Sequence, residues 1–156
     1  MLKKKNIIII FLFLTLLYSC GFKKINTNES LIKLQDITII GENRISYLLK
    51  SDLQLISNKS AQNKYNVDVE LIKSKASKIK DKTGKTTRFT VNIDANLILK
   101  NNYGQEVGGK AFSRNGDYDV NSSHSKTISN EKNTIKSVVQ KISEDIKNFI
   151  IITDRN

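Results

Sequence analysis

The chain has 156 residues, 38% of them hydrophobic, and 26 Lys and Arg against 15 Asp and Glu, for a formal net charge of +11. It carries one cysteine, one histidine, no proline and no tryptophan. These counts exclude an internal disulfide framework and a Cys/His metal cluster, so a hydrophobic core of single-domain size has to hold the fold.

In chain order the first signal is Lys3 to Lys5, then the apolar run Ile7 to Leu17, then Leu17-Tyr18-Ser19-Cys20. A short basic region, an apolar region of roughly 7–15 residues and a small residue before the cut describe a secretory signal. A spanning helix needs about 20 apolar residues, and this run is shorter, with Lys23 and Lys24 close behind. A cysteine just after the cut resembles a bacterial lipoprotein lipobox. The resemblance implies that residues 1–19 are a removed signal peptide, that the Cys20 thiol takes a diacylglycerol, and that the new amine takes an acyl chain such as palmitate. Gly21 at the next position, rather than aspartate, implies the outer membrane by likeness to lipoprotein sorting. No other cofactor is expected. Residues 20–30 then read as a lipidated tether, 31–152 as one domain, and 153–156 as a fraying tail.

Within that domain, Leu34 to Ile40 is rich in β-branched residues and predicts a strand, ended by Gly41. Ile45, Leu48, Leu49, Leu53 and Ile56 fall on one stripe of an amphipathic helix. Two strands of strict alternation follow. Tyr65, Val67, Val69 and Leu71 make one apolar face, and Phe89, Val91, Ile93, Ala95, Leu97 and Leu99 the other. Asn101 to Gly104 predicts a turn into a weaker fourth strand, Gln105 to Arg114, with Val107, Gly109 and Ala111 on one face and Lys110 and Arg114 on the other. Asn115-Gly116 predicts a bulge or bend before Tyr118. The closing helix is expected from an N-cap at Ser129, with Ile135, Val138, Val139, Ile142, Ile146, Phe149 and Ile150 as its core stripe. The order β-α-β-β-β-α predicts an α+β fold: a four-stranded mixed sheet, first pair parallel, with both helices packed on one face in two layers. Thr90, Asn92, Asp94 and Asn96 are left on the open face.

Charge is distributed unevenly. The three N-terminal lysines account for the step from +11 to +8. Of that +8, the stretch Lys73 to Arg88 holds seven basic residues opposed only by Asp81, leaving +6 on the connection between the two clean strands. A localised basic stretch calls for a polyanion. Outside the cytoplasm the candidates are anionic headgroups and the phosphates of lipopolysaccharide, not nucleic acid. Lys78, Lys80, Lys82, Lys85 and Arg88 are the candidate contact. The competing reading is a solvated hairpin tip whose lysines keep an edge soluble.

Catalysis has little support. His124 sits in the polar run Asn121 to Thr127, read as a loop, and Ser122, Ser123 and Ser125 are only sequence neighbours, whereas a triad is assembled by the fold. Gly108-Gly109 lacks the strand-loop-helix setting of a phosphate-binding loop. No pair of acids can be assigned as acid and base, and the chain is expected not to be an enzyme.

The lipobox and tether, Tyr65-Asn66-Val67-Asp68-Val69, Arg88-Phe89-Thr90-Val91, the turn at Asn102 to Gly104, Tyr118-Asp119-Val120 and the Ser129-to-Phe149 helix together resemble the LptE family of LPS-assembly lipoproteins. The likeness covers nearly all of the mature chain. It departs at Asn130-Glu131-Lys132-Asn133, where relatives often carry an alanine- and acid-rich opening. The resemblance implies a plug and assembly factor inside a large outer-membrane β-barrel of the lipopolysaccharide export machine, binding lipopolysaccharide in transit. The alternatives are a lipoprotein of another barrel-assembly or envelope scaffold, and a peripheral protein whose basic hairpin binds anionic outer-membrane lipid directly.

Overall fold

The computed structural model describes residues 32–155. The expected signal peptide, Cys20 and the expected tether lie outside the described residues. The elements are β1 (Ile32–Ile40), α1 (Asn43–Ile56), β2 (Asn63–Lys80), β3 (Thr86–Asn101), β4 (Glu106–Asp119) and α2 (His124–Asp154). The strands form one sheet in the order β1-β2-β3-β4. β1 runs parallel to β2, and the two hairpins make the remaining pairs antiparallel. This is the α+β two-layer arrangement that the element order predicts.

Both helices supply their apolar stripes to one face of the sheet. Ile45, Leu49 and Leu53 of α1 and Ile135, Val138, Val139, Ile142, Ile146 and Ile150 of α2 are buried. They meet Val67, Val69 and Leu71 of β2 and Val91, Ile93, Ala95, Leu97 and Leu99 of β3 in one cluster. Alternation explains the strands, since only one face of each can be apolar when the other is wet. In β1 the apolar phase switches from Ile32 and Leu34 to Ile37 and Ile39, and the register with β2 shifts between Leu34 and Ile37. An extra residue there keeps both pairs on the core side, as a bulge does.

Four expectations are corrected. β4 runs unbroken through Asn115 and Gly116, paired with Asn92 and Val91, so there is no bulge or bend. Gly116 is required instead by close approach of α2: a Cβ there would lie 2.8 Å from Thr134 Cγ2 and 2.9 Å from Val138 Cγ2. The closing helix begins at His124, with Ser123 rather than Ser129 at its N-cap and no side-chain cap bond. Thr127 Oγ1 instead accepts from the Asn121 N–H at 2.8 Å, and Asn121 Oδ1 accepts from the Ser123 N–H at 3.2 Å. His124 is therefore helical rather than in a loop. At the other terminus the helix continues through Asp154 instead of fraying from Thr153. The Asp154 carboxylate accepts from Asn63 Nδ2 at 2.8 Å and the Tyr65 hydroxyl at 2.9 Å, which ties the helix end to the start of β2.

On β4, Val107, Gly109 and Ala111 do lie opposite Lys110 and Arg114, and the charged set faces the helices. Lys110 Nζ sits 5.5 Å from the Phe112 ring centroid and 5.9 Å from that of Phe149. Arg114 forms a two-point contact with Asp145 of α2 at 2.7 and 2.8 Å. At a sheet edge long cationic side chains can cover apolar rings and still reach water.

Candidate functional site: the basic hairpin

The last buried residue of β2 is Leu71, and residues 72–80 are all exposed. Pairing with β3 nevertheless continues to Lys80↔Thr86. β4 follows alongside as far as Arg88↔Asp119. The basic stretch is therefore a paired ribbon whose β2 strand is exposed from Ile72 to the turn. Its turn closes on Asp81, whose Oδ1 accepts from the Thr83 N–H at 2.8 Å, the Thr83 hydroxyl at 2.6 Å and the Lys85 N–H at 3.0 Å. Gly84, at φ +83°, supplies the left-handed residue that the turn needs. These donors, the Thr83 hydroxyl first, hold the Asp81 carboxyl below its ordinary range. The lone acid of the stretch is thus committed to turn geometry.

Acids from distant parts of the chain meet four of the seven cations. Lys73 pairs with Glu42, Lys78 with Asp117, Lys75 with Glu131 at 3.3 Å, and Arg88 with Asp119 at 2.6 Å. Thr90 Oγ1 also donates to Asp117 at 2.7 Å. The Lys78 ammonium, then Thr90, holds the Asp117 carboxyl below the usual carboxylate range, and Arg88 does the same for Asp119. Lys75 lies on the helix side, 4.4 Å from the Phe89 centroid and 5.2 Å from that of Tyr118, two rings that stack at 5.6 Å. Tyr118 and then Glu131 beside it raise the Lys75 pKa, keeping it charged. The Tyr118 hydroxyl is buried and meets the strict hydrogen-bond geometry with no partner among the described residues.

The structure thus divides the five candidate residues. Lys78 and Arg88 are engaged with Asp117 and Asp119 across the open face. Lys80, Lys82 and Lys85 cluster at the exposed tip with no ion pair among the described residues. Glu42, Asp117, Asp119 and Glu131 are the residues that sequence reasoning missed. Asp117 and Asp119 alternate along β4, a signal that becomes useful once the register opposite Thr90 and Arg88 is known.

The rest of the open face is polar but not uniformly so. Lys100 pairs with Asp68 at 2.6 Å and Asn96 Nδ2 donates to Glu70 at 3.4 Å, while Ile72 and Ile98 are exposed among them. Among the described residues no group of three or more His, Cys, Asp or Glu side chains is placed to hold a metal ion, and no helix is long and apolar enough to cross a membrane.

The chain matches no family model and no curated protein sequence. Its fold is shared with solved structures at low identity. The rare lipoprotein B of Shewanella oneidensis superposes with a TM-score of 0.58 at 12% identity, over 78% of this chain and 98% of that one. A minor lipoprotein of Acinetobacter baumannii gives 0.59 at 12% identity, over 78% and 92%. The architecture described above is therefore one that bacterial lipoproteins adopt.

Proposed function

We propose that this chain is a lipid-anchored outer-membrane protein of the lipopolysaccharide transport and assembly machinery. It acts as plug and assembly factor of a large β-barrel and binds lipopolysaccharide through the β2–β3 hairpin. The observation that carries this reading is the tip itself: Lys80, Lys82 and Lys85 are exposed and, among the described residues, free of ion pairs, on a ribbon held in shape by the Asp81 turn. Phosphates on lipid A are the polyanion such a cluster can pair with, and the role needs no catalytic group. Two further features support the reading. A barrel lumen is polar, and the open sheet face offers Thr90, Asn92, Asp94 and Asn96 to it. The lipobox-like sequence ending at Cys20 supplies an anchor, in keeping with the fold shared with lipoproteins.

Topology bears on the alternative of direct lipid binding by the hairpin. β1 starts at Ile32 beside Asn63, the first residue of β2, and the tip lies beyond the last. At about 3.3 Å per residue, the 18 residues of β2 separate those ends by about 60 Å. The 12 residues from Cys20 to Ile32 reach about 40 Å at most. The basic tip thus stands away from the anchored leaflet unless the sheet lies flat on it, which favours a cargo met above that surface.

The test is recovery of the tagged, lipidated protein from outer membranes in mild detergent. A near-stoichiometric large β-barrel is the expected companion. Recovery of the protein alone would remove the transport role, and recovery with other envelope proteins would support the scaffold alternative.

A further inference from the structure

At the end of the sheet opposite the basic tip, four features converge. Ile32 accepts from the Asn58 N–H at 3.0 Å, Tyr65 pairs with Asn101, and Asp154 is bonded to Asn63 and Tyr65. The first described residue, the α1–β2 connection, the β3–β4 turn and the last turn of α2 therefore share one end of the domain. This end exposes large apolar side chains: Leu55 at 83%, Tyr103 at 89% and Ile152 at 60%. Tyr103 is carried on a turn built like the basic one. Asn101 Oδ1 accepts from the Tyr103 N–H at 2.9 Å and the Gln105 N–H at 3.0 Å, and Gly104 has φ +76°. Nothing in the core requires an aromatic residue there.

On the β1 side of this end, where Gln54 and Ser57 flank Leu55 in sequence, an open groove of about 870 Å³ runs along the outer edge of β1 and across α1. Its lining includes Lys33, Lys50 and Lys59 against the single acid Asp36. None of the three lysines has an ion pair among the described residues.

We propose that this end is a bilayer-docking surface of the lipidated protein before it joins its barrel. Tyr103, Leu55 and Ile152 enter the interfacial region of the anchoring leaflet, and Lys33, Lys50 and Lys59 face the phosphates of its anionic phospholipids. Amphipathic rings and aliphatic side chains are favoured at the headgroup level, and basic side chains near it are drawn to anionic lipid. The occupant follows from where the chain leads, since the polypeptide leaves at Ile32, 12 residues after Cys20. This inference rests on the lipid-anchor reading of Cys20. The acyl chains expected on Cys20 already hold the chain on the leaflet; this second, non-covalent contact sets the sheet's orientation, with the Lys80–Lys85 turn held off the surface.

The chain has no tryptophan, so one introduced residue is an unambiguous reporter. Y103W and, as the far-end control, T83W are prepared as lipidated protein and placed in vesicles of phosphatidylglycerol and brominated phosphatidylcholine. The expected result is a blue shift and loss of at least about half the emission for Y103W, the signature of a ring at the interface, with T83W unchanged. K33E/K50E/K59E in the Y103W background should reduce that quenching. Absent quenching of Y103W, or equal quenching of both reporters, overturns the proposal. Mass measurement of the same samples reads the anchor separately: an unmodified Cys20 defeats the anchor reading and this orientation with it, whereas a modified Cys20 with unquenched Y103W defeats only the docking surface.

Discussion

Residues 63–71 and 72–80 of β2 form one strand under two regimes. The first half lies beneath both helices, with Val67, Val69 and Leu71 buried, and its pairing is backed by apolar contact. The second half has no helix over most of its length and is exposed throughout. There the ladder is supplemented by charges, Lys73 with Glu42, Lys75 with Glu131 and Lys78 with Asp117. Hydrophobic burial is non-directional and is not screened by salt, whereas exposed ion pairs are weak and screened. One sheet thus joins a rigid anchor to an arm whose chemistry is free to serve a partner.

Truncation separates the halves most sharply. Ile146→Ala, at a fully buried position facing the sheet, should cost about 2–5 kcal/mol in urea unfolding. Ile79→Ala in the projecting half, where the side chain is largely exposed, should stay within about 0.5 kcal/mol. Equal losses would mean that the arm has a core of its own. Next is Gly116→Val, which forces atoms into Thr134 and Val138 and should destabilise by about 1–3 kcal/mol, measured the same way.

Tyr65→Phe tests the latch at the end of the sheet opposite the arm. It removes one donor from Asp154 and should cost about 1 kcal/mol. Burial, then the bond to Asp154, pushes the Tyr65 pKa up to about 12. A raised folded pKa means that this contribution is full below the ordinary tyrosine value of about 10 and is lost as pH rises through about 12. A phenolate titration of the folded protein should therefore show a late step that is absent in Tyr65→Phe.

The smallest stability effect concerns the arm's charges. Asp117 and Asp119 have depressed pKa values, so what they contribute is present above the ordinary carboxylate value of about 4 and is lost as pH falls below it. D117N/D119N should flatten that acid-side decline in Tm while changing neutral-pH stability little. An unchanged acid limb would show that these pairs contribute nothing measurable.

Much of the fold was legible because periodicity reports burial directly. The stripe Ile45 to Ile56 and the alternation at 65–71 and 89–99 name their core faces without reference to any partner. The parallel first pair follows from one crossover. Gly116 misled because a glycine demanded by a neighbouring helix looks the same in sequence as one demanded by a bend. The helix start was misread because Ser129-Asn130-Glu131 has capping composition, while the true start relies on Asn121 and Thr127 bonding across six residues. The candidate site was legible as a hairpin carrying positive charge. Its availability was not, since Glu42, Asp117, Asp119 and Glu131 reach Lys73, Lys78, Arg88 and Lys75 only through the fold.

The most direct measurement of the central claim is titration of the protein with purified lipopolysaccharide at two salt concentrations, beside K80E/K82E/K85E. The variant should keep its far-UV dichroism and lose affinity by about a hundredfold, at about 1 kcal/mol per lysine near an anionic surface, with most of the salt dependence gone. Affinity and salt dependence equal to those of the unaltered protein would contradict the account and leave the tip as a solubilising edge.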